Sequence, residues 1–177
     1  MSPSTSGFRV AAGEIPNHGL HRDLTADTAL RRDLARRLDL RGVDALSARV
    51  DLRPAPGNLI AVTGTLRAQV VQTCVVTLEP LPASVEVSFE RYFTEDPQDL
   101  PVEEEILADE MDPPDPVVDG VIDLADLLAE EISLNLDPFP RRPGTSLDEA
   151  AGDLLDRAPA APENPFAALS ALKDKRT

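Results

Sequence analysis

The sequence predicts an α+β fold in which an antiparallel, strongly bent sheet of four to five strands is covered by one or two helices, with a disordered acidic loop and a largely disordered C-terminal tail. Three features carry that expectation. Residues 46–93 alternate apolar and polar side chains with the period of a half-buried strand. Leucines recur at helical spacing on either side of that region, and prolines crowd the stretches that have little to bury.

Leu46, Ala48, Val50 and Leu52 face one way, while Ser47, Arg49, Asp51 and Arg53 face the other. Pro54, Pro56, Gly57 and Asn58 form a turn. Ile60, Val62, Leu66, Ala68, Val70, Cys74, Val76 and Leu78 then hold one face over a run too long for a single flat strand, so Gly64 is the expected bend or bulge. After a turn at 79–82, Val85, Val87, Phe89 and Phe93 set the register of a closing strand. A short opening strand is expected at 8–12.

Residues 25–38 read as an amphipathic helix capped by Thr25, with Leu30, Leu34 and Leu38 on the inner stripe. Arg32 and Arg36 fall opposite that stripe and Arg31 and Arg37 on its shoulders, so the outer surface is basic. Residues 95–119 read as a solvated acidic loop. An acidic helix spans 123–136, capped by Asp123 with Asp126 in its first turn, and Leu124, Leu127, Leu128 and Ile132 form its apolar face. A sheet of this size buries too little to stand alone, so helices must cover it. The folded domain is expected over 1–140, and 141–177 as a flexible tail with short amphipathic helical segments, one carrying Phe166, Leu169 and Leu172 ahead of Lys173, Lys175 and Arg176.

Charge is segregated along the chain. The formal net charge of −15 resides in residues 91–140, where 16 acids face one base; the flanks on either side each sum to zero. Within 22–67 there are 9 arginines against 6 acids. A low overall pI therefore does not by itself exclude contact with nucleic acid.

The remaining composition limits the function classes. One cysteine excludes an intramolecular disulfide, and the first residues lack the basic and apolar regions of a secretory signal. No stretch approaches a membrane span, so a cytoplasmic, soluble protein is expected. Glycine-rich phosphate loops, HExxH and GxSxG are absent, which argues against an enzyme with a small-molecule substrate or cofactor. His18 and His21 are placed in a loop before the first helix, with no partner at a spacing that catalysis or metal binding demands. The acids of 103–119 do not match an EF-hand loop, and Cys74 reads as a small hydrophobe on the apolar strand face.

Three separated pieces carry a family resemblance: Val70-Val71-Gln72-Thr73-Cys74-Val75-Val76-Thr77-Leu78-Glu79-Pro80, the strand through Phe89 and Phe93, and Gly120-Val121-Ile122-Asp123-Leu124-Ala125-Asp126-Leu127-Leu128-Ala129-Glu130-Glu131. In order and spacing they resemble the YceD family of bacterial large ribosomal RNA subunit accumulation proteins over about residues 43–140, so that 1–140 is a YceD-like domain. The upstream helix and Pro165-Phe166-Ala167-Ala168-Leu169 are similar to those of the alphaproteobacterial branch. The resemblance implies a non-catalytic role in ribosome biogenesis, supporting accumulation or processing of large-subunit (23S) ribosomal RNA. Many relatives carry Cys-x-x-Cys where this chain has Cys74-Val75-Val76-Thr77, and a second cysteine pair after the acidic helix. Thr77 and a cysteine-free 138–143 imply that a four-cysteine zinc site is lost here and that apolar packing of Cys74 replaces it.

Two binding modes fit these observations. In the first, Arg31, Arg32, Arg36 and Arg37 on the helix, with Arg49, Arg53 and Arg67 on the polar strand faces, meet phosphates of large-subunit ribosomal RNA or of a pre-large-subunit particle. In the second, the acidic region, with Asp123, Asp126, Glu130 and Glu131 and the tail residues Phe166, Leu169 and Leu172, holds a basic ribosomal protein. No metal, cofactor or membrane enters either mode.

Overall fold

The computed structural model describes residues 6–96 and 113–145. The acidic stretch 97–112 and the tail from 146 onward, including Phe166, Leu169 and Leu172, lie outside the described residues.

The order is β1 (Arg9–Ala11), β2 (Leu20–Thr25), α1 (Thr28–Arg37), β3 (Gly42–Ala55), β4 (Leu59–Thr73), β5 (Pro80–Thr94), β6 (Asp115–Pro116), β7 (Val121–Asp123) and α2 (Leu124–Asn135). Strands β2-β3-β4-β5-β6 form one sheet in that spatial order, and β1 pairs with β7 in a separate two-stranded sheet. The sheet is mixed and not purely antiparallel, because β6 runs parallel to β5 through Phe93↔Asp115 and Thr94↔Pro116. Part of the expected acidic loop is thus a strand.

Nor is the sheet strongly bent. β4 keeps register with β3 (Val50↔Gly64) and with β5 (Gly64↔Phe89), and the one register shift lies between Val43 and Ala45 of β3. Gly64 answers to packing instead of bending: a Cβ there would sit 2.6 Å from Phe89 Cζ and 2.6 Å from the Arg49 carbonyl oxygen.

The inward positions are as the alternation demands. Leu46, Ala48, Val50 and Leu52 of β3 are buried with Val62, Leu66, Ala68 and Val70 of β4 and with Val85, Phe89 and Phe93 of β5. α1 packs on β3 through Leu30 and Leu34, and α2 packs on β5 and β1 through Leu124, Leu127, Leu128 and Ile132. Both helices therefore lie on the apolar side of the sheet. The other side carries the polar residues of every strand.

Four local expectations need correction. Thr25 ends β2, paired with Ser47, so the α1 cap falls to Asp27, whose carboxylate accepts from the Leu30 amide at 2.8 Å. His21 is not in a loop but on β2, opposite Asp51. β4 stops at Thr73, and the chain turns at 75–77, earlier than 79–82. Leu78, at φ 59 with its amide bonded to the Cys74 carbonyl, is consequently 67% exposed and not inward.

Candidate nucleic-acid interface

Burial of Leu30 and Leu34 turns the opposite side of α1 to solvent, and the helix advances so that Arg32 and Arg36 share that side. A groove runs between this surface and the start of β3, and Arg31, Arg32, Arg36 and Arg41 line it, with Asp39 and Asp44 as its acids. Arg31 is held across the groove by the Asp44 carbonyl, by the Val43 carbonyl at 3.4 Å and by Thr28 Oγ1 at 3.3 Å. Arg36 donates to Asp33 at 2.6 Å with 78% of its side chain exposed. Arg32 is exposed, and among the described residues no carboxylate lies within ion-pair distance of it.

Arg41 escapes the sequence reasoning, which looks along the helix and along the strands but not at the joint between them. It donates to Thr73 Oγ1 at 3.0 Å and to the Leu78 carbonyl at 2.6 Å, so its guanidinium is fixed at the end of the groove by uncharged partners. The signal available was a base in the short link between a helix and a strand starting at Gly42.

The other four candidates are not part of this groove. Arg37 reaches away to Asp126 of α2 at 2.8 Å. Arg49, Arg53 and Arg67 project from the polar side of the sheet, opposite to the side on which α1 lies. There Arg49 meets Asp23 at 3.2 Å, Arg67 forks onto Glu86 at 2.9 and 2.7 Å, and Asp51 and Glu90 add further negative charge. Arg53 is exposed without an ion pair among the described residues. His21 sits on this side too. Its ring bonds Asp51 at 3.2 Å and Asp23 at 3.3 Å, and those two carboxylates raise its pKa above the ordinary 6.5.

The acidic candidates are largely committed inside the fold. Asp123 caps α2, accepting from the Ala125 amide at 2.9 Å and the Asp126 amide at 3.3 Å. Asp126 holds Arg37. Glu130 and Glu131 both approach Arg91 at 3.6 Å, and Glu131 is buried. Arg91 lies inward on β5 and forks onto Asp115 at 3.1 and 2.7 Å. Burial opposes its charge, yet Asp115 foremost, then Glu130 and Glu131, outweigh that and hold the guanidinium above its ordinary range. Beside this cluster, Asp115, Asp119, Asp123, Asp126 and Glu130 line a depression whose single base is Arg9.

Cys74 lies just past β4 and is 1% exposed. Its environment is more than apolar packing: Sγ accepts from the Thr77 amide at 3.5 Å and from the Arg142 amide at 3.4 Å. The Thr77 side chain first, then these amides, favour the thiolate against burial and lower the pKa to about 6. The turn at 75–77 and the segment after α2 thus meet on one sulfur, and the Val75 amide bonds the Pro140 carbonyl at 2.9 Å. No His, Cys, Asp or Glu cluster that could hold a metal occurs among the described residues, and none of their helices is long and apolar enough to cross a membrane.

The family model described as large ribosomal RNA subunit accumulation protein YceD matches residues 62–173, well over half of the chain. No curated protein and no solved structure matches this chain.

Proposed function

Because this chain belongs to the YceD family, whose name implies a role in large ribosomal RNA subunit accumulation, we propose that it acts as a non-catalytic factor in ribosome biogenesis. It contacts large-subunit ribosomal RNA, or a particle carrying that RNA, through the arginine groove beside α1. The observation that supports this is the convergence of Arg31, Arg32, Arg36 and Arg41 on one groove, with Arg32 free of any ion pair among the described residues and Arg41 held by uncharged groups. A planar guanidinium pairs with phosphate oxygens through two bonds. The exposed Arg36–Asp33 pair contributes only a few tenths of a kcal/mol, so a phosphate can take its place. The polar side of the sheet is a poorer phosphate surface, since Asp23, Asp51, Glu86 and Glu90 intersperse its arginines.

The test is binding of the full chain to large-subunit ribosomal RNA fragments across a salt series. Arg32→Ala with Arg36→Ala weakens binding uniformly across fragments and makes the log-log salt slope shallower by about 2. Replacing Arg49, Arg53 and Arg67 together has the smaller effect. Unchanged affinity and slope in the helix double variant overturn the reading.

The acidic depression between β6, β7 and α2 favours a second reading, capture of a basic ribosomal protein. Asp119→Asn with Glu130→Gln then lowers that capture while leaving RNA binding intact.

A further inference from the structure

Four of the five large apolar side chains exposed among the described residues, Val75, Leu78, Leu134 and Phe139, belong to the stretch just after β4 or to the end of α2 and the segment after it, which meet at one end of the molecule. The gathering follows from the chain path. Gln72 Nε2 donates to the Asp137 carbonyl at 2.9 Å, the Val75 amide to the Pro140 carbonyl at 2.9 Å, and Arg41 to the Leu78 carbonyl at 2.6 Å. These bonds bring the end of α1, the turn after β4 and the segment after α2 together. Between them runs a groove whose apolar lining is Leu38, Leu40, Val75, Leu136, Pro138 and Pro140, and whose charged lining is Asp39 and Asp137 against the single base Arg41. An exposed apolar groove with a polar edge is the form of a surface that takes an amphipathic helix.

We infer that this groove is the seat of the chain's own C-terminal segment, residues 164–173. Three observations converge on that occupant. The described chain reaches Thr145 at this same end, where Arg142 is tied to Cys74 and to Glu79 and Thr145 is tied to Arg142. Nineteen residues separate Thr145 from Pro165, far more than enough to return across a domain of this size. The segment itself offers a short stripe of Phe166, Leu169 and Leu172 behind an Asn164-Pro165 start, and it closes on Lys173, with Lys175 and Arg176 just beyond, opposite in sign to the two acids that outnumber Arg41 in the groove. The family match supplies a further argument. It runs on to residue 173 and so includes this stripe, 28 residues past Thr145 where the described residues end.

Docking of this kind covers Val75 and Leu136 and stands whether or not α1 meets RNA. The experiment is nuclear magnetic resonance on the uniformly labelled full chain. Overhauser contacts between the Phe166 ring and the methyl groups of Val75, Leu38 or Leu136 are expected, and an isotope-filtered mixture of labelled and unlabelled chain shows none. Phe166→Glu with Leu169→Glu removes those contacts and speeds hydrogen exchange of the Val75 amide. Contacts that appear in the isotope-filtered spectrum of the mixed sample identify a second copy as the occupant and overturn the inference. So does their absence, or a Val75 exchange rate that the double variant leaves unchanged.

Discussion

Replacing Arg91 with methionine probes the interaction on which the acidic part of the fold depends. The guanidinium forks onto Asp115 and faces Glu130 and Glu131, so its removal leaves three carboxylates around an apolar stem. Breaking a fully buried ion pair from one side costs about 3–5 kcal/mol. Glu131 is enclosed, whereas the side chains of Asp115 and Glu130 are 32% and 60% exposed and keep part of their hydration. A loss of about 2–3 kcal/mol follows. Urea unfolding followed by far-ultraviolet circular dichroism reads it as a midpoint lower by roughly 1–2 M, taking a slope of about 1.5 kcal/mol/M. Glu131→Gln in the same chain returns part of the loss, because the enclosed charge is then gone. A change under about 0.5 kcal/mol in Arg91→Met refutes the reasoning, since that is the scale of an ordinary surface substitution.

Other outcomes follow from single contacts. Gly64→Ala drives a methyl into the Phe89 ring and the Arg49 carbonyl and destabilises by about 1–3 kcal/mol; Phe89→Leu in that background returns part of it, as calorimetry will show. The imidazole of His21 titrates above 6.5 by nuclear magnetic resonance, and Asp51→Asn brings the midpoint down. As its folded pKa is raised, the stability it contributes is complete below about 6.5 and fades as pH rises through the folded value; a midpoint at or below 6.5 contradicts the assigned contacts. Alkylation of Cys74, slow because the sulfur is enclosed, has a pH midpoint near 6, and Thr77→Val shifts it upward; a midpoint in the ordinary thiol range would show that the Thr77 contacts do not stabilise the thiolate.

The parts of the fold that were legible in the sequence are those where burial is one-sided and regular. Alternation gave the inward faces of β3, β4 and β5, and the leucine stripes with an acidic cap gave α2 from Asp123. β2 was illegible because it is a short edge strand, LHRDLT, with Arg22 at an inward position and no β-branched residue except Thr25. β6 has two residues, one of them proline, and Arg91 fixes it from 24 positions away, which no local pattern reveals. Both Thr25 and Asp27 are sound caps, and only the pairing of Thr25 with Ser47 decides between them. The candidate site divided for a similar reason. Helical spacing placed Arg32 and Arg36 together, but nothing local told which side of the sheet would receive α1, and hence that Arg49, Arg53 and Arg67 would face away from it.

The order of the elements sets a schedule for synthesis. The three long strands β3, β4 and β5 follow one another through short turns, whereas α2, which covers β5, begins thirty residues after Thr94. At translation rates of about 5–20 residues per second, a nascent chain holds a paired meander with a wet apolar side for some 2–6 seconds before Leu124 to Ile132 emerge to close it. A chain halted before α2 thus presents the ribosome exit with a sheet that α1 covers at β3 and that is still bare at β5.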